Sequence, residues 1–191
     1  MRYVAICTAD FSKIIFIQYS DSVYMKIKAI LILLVFIPLI GCDRYTKEQA
    51  IIHLKGQELS SFFNGFFCLT YHENTGAMLS LGAYLPENIR FIIFTLLVGL
   101  LLIGGLIYVL VKLMNRYSFI LGLFVLAGGF GNLYDRALNG RVVDFMLLQF
   151  GPLKTGVFNV ADAAIMIGIF GLIFISSKWG KNLTNQNLPE R

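Results

Sequence analysis

Charge is scarce in this chain. Asp, Glu, Lys and Arg make up 14% of its 191 residues, against roughly 25% in soluble domains. Hydrophobic residues make up 57% and the mean hydropathy is +0.73, a membrane composition and not that of an ordinary soluble domain. Cysteine is also sparse. Cys7, Cys42 and Cys68 are odd in number and share no metal-ligand spacing, so they suggest neither a disulfide framework nor a zinc site. The two histidines, His53 and His72, lack the HExxH spacing of a zinc peptidase. No G-x-S-x-G elbow is present, and Ser80 has no evident partner base. Walker and Rossmann glycine patterns are missing as well. The net charge of +5 comes without a basic stripe carrying interleaved aromatics, which argues against nucleic acid as a partner. No metal or organic cofactor is expected.

What the chain has instead is apolar runs of membrane length. A bilayer core of about 30 Å takes about 20 helical residues, with about 17 near the lower limit. Four runs qualify or come close: Ile27 to about Gly41, Ile89 to Val111, Tyr117 to about Leu133, and Val157 to about Ser177. Lys26 and Lys28 precede the first, Lys112 and Arg116 fill the connection between the second and third, and Lys178 and Lys181 follow the fourth. With four spans these basic sites share one side, so both termini are expected in the cytoplasm. Loops 44–88 and 134–156 then face outward. Within the first of them, Phe62 to Tyr71 is strand-like around Asn64-Gly65, a hairpin signal, although the same aromatics suit an interfacial belt. The expected fold class is therefore all-α, with four transmembrane helices and a small extracytoplasmic β-sheet resting on the membrane surface.

The ends differ from the middle. Residues 1–24 mix Asp10, Lys13, Gln18 and Asp21 with apolar residues and form no clean span. Met25-Lys26-Ile27-Lys28 reads as a natural membrane-protein start, so residues 1–24 are expected to be an extension arising from the choice of start site. Residues 25–180 then form the functional domain and 181–191 a polar cytoplasmic tail. Leu39-Ile40-Gly41-Cys42 imitates a lipoprotein cleavage site. The three apolar runs that follow it favour a plain helix position for Cys42.

Polar residues gather in short blocks at the ends of these runs. Ionisable residues beside membrane spans default to a functional hypothesis. Asp144 lies between Val142-Val143 and Phe145-Met146, and Asp162 opens the fourth run after Phe158-Asn159. Two such aspartates meeting across helices would share one proton and could activate water; helix-capping or interfacial aspartates are the plainer reading. Asp135 has Arg136 beside it as a charge partner, which suits an ionised, structural role. Asn132 and Asn159 precede Asp135 and Asp162 by three residues, so each pair would share a helix face. Asp43 and Lys47 are spaced to pair on a helix. Gly76 permits a turn that could aim Asn74 at a site. These residues suit an intramembrane aspartyl peptidase. They also suit a small proton-coupled transporter with an aspartate relay, and a non-catalytic scaffold remains open. Clustering of the polar blocks at one membrane face fits cleavage better than transport, which would need polar residues at midplane or broken helices.

From Lys26 to Trp179 the sequence resembles the lipoprotein signal peptidase (signal peptidase II) family. Asp43 to Lys47 matches its D-Q-x-T-K block with Arg44 in place of Gln, and Asn74 to Leu79 matches N-x-G-A-A-F except at Met78 and Leu79. Gly131 to Phe145 matches G-N-x-x-D-R-x4-G-x-V-V-D-F without a gap, and Phe158 to Asp162 matches F-N-x-A-D. The resemblance implies a catalytic pair at Asp144 and Asp162. It implies substrate contacts at Asn74, Asn132, Arg136 and Asn159, with Asp43, Lys47, Gly76 and Asp135 in support. It further implies cleavage of diacylglyceryl-modified prolipoproteins just before the lipidated cysteine, at the extracytoplasmic face of a bacterial inner membrane. Membrane lipid is the other expected partner, and no oligomer is required.

Overall fold

In the computed structural model the described residues are 26–77, 80–112 and 115–177. The expectations for residues 1–24, the tail 181–191 and the Met78-Leu79 departure lie outside them. Residues 26–54 are helical without a break: a π-helical turn Ile32–Phe36 leads into α1, Ile37–Leu54. Pro38 sits in the first turn of α1, and its missing N–H and ring are the physical reason for widening the helix just before it. The helix runs well past Gly41, carrying Asp43 and Lys47 onto a regular face.

Helix α2 spans Glu87–Val111, helix α3 Arg116–Asn139 and helix α4 Val160–Ser176. The first two of these are long and apolar enough to cross a membrane. The third apolar run was expected to stop near Leu133; α3 in fact continues to Asn139, where Gly140 closes it in the left-handed region (φ 66°) and donates its N–H to the Arg136 carbonyl. At its other end Asn115 caps α3 by accepting from the Ser118 N–H.

The sheet has four antiparallel strands in chain order: β1 Ser60–Phe62, β2 Phe67–Asn74, β3 Val142–Phe150 and β4 Leu153–Lys154. The hairpin expected at Asn64-Gly65 is present, with both residues at positive φ. The expected loop 134–156 needs correction, because it contributes two strands. Asp144 therefore lies in a strand and meets its neighbours across a sheet–helix junction, not across two helices. Phe158 forms an isolated bridge with Met146, and its N–H and C=O both bond to that residue. The chain entering α4 is thereby fastened to β3.

Burial is inverted relative to a soluble protein. Leu33, Leu34, Leu100, Leu101, Ile173 and Phe174 are exposed, while Lys28, Asp43, Lys47, Asn132, Asp135, Asp144 and Asn159 are buried. An apolar exterior around a polar interior suits a lipid surround. Lys28 shows how one buried cation is accommodated: its Nζ donates to the carbonyls of Val109, Leu110 and Lys112, acceptors left over at the end of α2.

Helices α3 and α4 pack closest, through glycines. A Cβ on Gly128 would overlap the Ala161 carbonyl and Ile165, and one on Gly168 would overlap Val125 and the Leu121 carbonyl. Gly128→Ala should therefore destabilise by about 1–3 kcal/mol through overpacking. Gly104→Ala, where the same atom meets nothing within 4 Å, should be neutral or slightly stabilising. Thermal unfolding of the two variants side by side checks this.

Candidate active site

Lys47 lies at the centre of the polar interior, 1% exposed. An ammonium has three donors, and three oxygens surround this one. Asp43 Oδ2 at 2.7 Å and Asn132 Oδ1 at 3.0 Å accept hydrogen bonds from it, while Asp135 Oδ2 at 2.8 Å is an ion-pair partner without hydrogen-bond geometry. The Asp43–Lys47 pair follows from its spacing on α1, but it is a buried pair and not a surface one. Asn132 and Asp135 share a face of α3, as their spacing requires. Asp135 does not pair with its neighbour Arg136, as expected from sequence. Its partners are Lys47 and Arg44, because successive helix residues do not face one another. Arg44, which the sequence marked only as a departure from the family pattern, also lies over the Tyr134 ring at 4.8 Å.

Asp43 carries the cluster to α4: its Oδ1 accepts from the Ala161 N–H at 2.9 Å, one of the unpaired donors of that helix's first turn. Asn159 is not on the face of α4, as its spacing from Asp162 suggested. It is the N-cap, with extended φ/ψ, in a reciprocal capping box with Asp162. The Asp162 N–H donates to Asn159 Oδ1 at 2.9 Å, and the Asn159 N–H donates to Asp162 Oδ2 at 3.2 Å.

That cap places Asn159 between the two aspartates. Its Nδ2 donates to Asp144 Oδ1 at 2.6 Å and to Asn132 Oδ1 at 3.2 Å. Asn132 Nδ2 in turn donates to Asp162 Oδ1 at 2.8 Å. Asn74, opposite Val142 in the β2–β3 register, reaches diagonally to Asp144 Oδ2 with a 3.0 Å bond from its Nδ2. The Asn74 side chain also accepts from the Gly76 N–H and donates to the Ala77 carbonyl. Gly76 has no positive φ. What it provides is room, since a Cβ there would strike the backbone of Ser80 and Leu81. Arg136 holds the same turn by donating from Nη2 to the Gly76 carbonyl at 2.7 Å.

Asp144 is 1% exposed. Burial pushes its carboxyl up to about 6; the hydrogen bond from Asn74 opposes the shift and the nearby Asp162 charge adds to it. A carboxyl raised in the folded state favours folding while protonated. That contribution is complete below the ordinary value of 3.8 and is lost as pH rises to about 6. Asp144, Asp162 and Asn74 together line one end of a cavity of about 320 Å³, whose other walls include Leu148, Met166 and Ile167. Two acidic groups therefore border an apolar recess.

The sequence profile described as Signal peptidase (SPase) II matches residues 34–178. The chain belongs to the signal peptidase II family. A lipoprotein signal peptidase of Chlorobium phaeovibrioides is 40% identical over 145 residues, covering 70% of this chain and 82% of that protein. One from Streptococcus pneumoniae is 33% identical over 155 residues, covering 81% of this chain and 96% of that protein. Among solved structures, one described as a bacterial membrane enzyme superposes with a TM-score of 0.65 at 25% identity, covering 83% of this chain and 93% of the other. Membership in signal peptidase II makes this chain a membrane protease of lipoprotein processing, and it decides against the transporter reading.

Removing Lys47 would leave Asp43 and Asp135 buried around an empty position. Lys47→Met should destabilise by about 3–5 kcal/mol, the range for breaking a buried ion pair on one side. Arg44→Gln should cost no more than about 1 kcal/mol, because the Arg44 side chain is 40% exposed and solvent screens it. Unfolding of both variants in one detergent gives the comparison.

Proposed function

We propose that Asp144 and Asp162 are the catalytic dyad of a prolipoprotein signal peptidase that cuts just before a diacylglyceryl-modified cysteine. The observation that carries this reading is the position of Asn159. Its side-chain amide holds Asp144 and its backbone amide holds Asp162, so both carboxyls border one cavity. One carboxylate takes a proton from water, whose oxygen attacks the scissile carbonyl carbon. The protonated partner donates to the carbonyl oxygen as the tetrahedral diol forms. Collapse of the diol breaks the C–N bond, and a proton from the dyad goes to the leaving nitrogen. One member of the pair carries the shared proton and the other acts first as base. Asn132 and Asn159 orient the pair. Asn74 and Arg136 border the path of the substrate backbone, while Asp43, Lys47, Gly76 and Asp135 support them.

In this reading residues 25–180 form a domain that crosses the bacterial inner membrane four times with both termini in the cytoplasm. Lys28 at the end of α2 and the lysines flanking the spans support that orientation. The sheet then lies at the outer face, its exposed Phe62, Phe63, Phe66 and Phe150 suited to the interface. The cavity beside the dyad receives the signal helix, and membrane lipid surrounds the apolar exterior.

Single-turnover cleavage of a lipidated prolipoprotein tests the dyad. Asp144→Asn and Asp162→Asn should each lower the rate at least about 10³-fold while remaining folded, and the double variant should lose little more, as expected for groups acting as a unit. Asp135→Asn and Asp43→Asn should instead lose stability and keep measurable turnover. Rate against pH should be bell-shaped, falling in acid as both carboxyls protonate and in base as the shared proton is lost, with both limbs belonging to the pair. Wild-type rates in Asp144→Asn would end this assignment.

A further inference from the structure

A second cavity, of about 210 Å³, shares no lining residue with the one at the aspartates. It lies between the first turns of α2 and the last turn of α3. Its charged lining is three guanidiniums, Arg90, Arg136 and Arg141, against one carboxylate, Glu87, with Thr75 and Asn139 beside them. The arginines come from three places in the chain and converge on one space. Arg141 has an ion pair with Glu73 at 3.2 Å. Arg90 and Arg136 have no ion pair among the described residues. Among the described residues their hydrogen bonds go to backbone carbonyls, Arg90 Nη1 to Ala83 at 3.5 Å and Arg136 Nη2 to Gly76 at 2.7 Å. The Nε of each is buried and meets no acceptor among the described residues.

Two buried guanidinium donors without acceptors are costly, and a converging set of arginines complements an anion with several oxygens. A carboxylate presents its two oxygens in one plane, whereas a phosphate presents oxygens toward several directions, as arginines from three elements require. Phe91, Phe94 and Thr95 form the wall on the side of the apolar run of α2. In the proposed orientation, on which this inference rests, the cavity lies where hydrocarbon gives way to headgroups, and there a phosphate is the abundant anion.

We propose that this cavity is a phosphate-binding site, able to take the phosphodiester of an anionic phospholipid or free phosphate. Phosphate there supplies the acceptors that the Nε groups of Arg90 and Arg136 lack. It thereby fixes Arg136, which holds the Gly76 turn behind Asn74, so an occupied cavity steadies one wall of the peptidase site.

The test uses the purified full chain in a neutral detergent and follows thermal unfolding in four additions at matched ionic strength: sodium chloride, inorganic phosphate, phosphatidylcholine and phosphatidylglycerol. Phosphatidylglycerol should raise the Tm by about 4 °C or more over phosphatidylcholine. A shift with phosphatidylglycerol alone identifies a lipid phosphate as the occupant; a shift with inorganic phosphate as well shows that the anion suffices. Arg90→Gln should abolish the shift, and Arg141→Gln should reduce it if Arg90→Gln does not fold. No shift from phosphatidylglycerol or inorganic phosphate, an equal shift from chloride or phosphatidylcholine, or a full shift retained in the folded arginine variants would overturn the proposal. Such a failure would leave the dyad assignment untouched, because the two cavities are lined by different residues.

Discussion

The buried ammonium of Lys47 is the contact on which the interior depends. A cation this deep is tolerable only when it is paired and hydrogen-bonded, and its partners come from both α1 and α3. Asp43 Oδ2 and Asp135 Oδ2 balance its charge, and Asn132 Oδ1 accepts a further hydrogen bond from it. Each of those three side chains has a second polar atom with a task of its own. The second oxygen of Asp43 binds the first turn of α4, that of Asp135 binds Arg44, and the amide of Asn132 binds Asp162. One fixed charge thus sets the relative heights of three helices. Glycines at the α3–α4 contact allow the backbones close enough for these short side chains to reach.

Above this cluster the sheet contributes what helices alone could not. Asp144 is presented from a strand, with Asn74 from the neighbouring strand on one oxygen and Asn159 on the other. Two neutral amides leave the carboxyl buried without a cation bonded to it, and the result is a group raised to about 6. The charged groups hold the helices, and the neutral ones hold the acid. This separation explains how a cluster rich in Asp, Lys and Arg can still contain a carboxyl that titrates near neutrality.

Much of this was legible in the sequence where the contacts are local or periodic. Asp43 with Lys47 and Asn132 with Asp135 follow from helix spacing, and the Asn64-Gly65 turn follows from its dihedral demands. What escaped was either long-range or misleading in period. Lys47 and Asn132 are 85 residues apart, and no local pattern pairs them. Strand β3, VVDFMLLQF, is covered on both faces along much of its length, so it lacks the alternation that marks a half-buried strand. Asn159 three residues before Asp162 fits a shared helix face and a capping box equally well; only the extended backbone at Asn159 separates them. Arg136 is the nearest cation to Asp135 in sequence, but the helix directs Asp135 to Arg44 and Lys47 of α1.

The cap on α4 also has a meaning in time. Asn159, Ala161 and Asp162 come late in the chain, after every other member of the cluster has been synthesised. Until they emerge, Asp43 has no backbone N–H to accept from, Asn132 has no carboxylate to bind, and Asp144 has one amide partner in place of two. The last helix among the described residues thus completes the acidic pair.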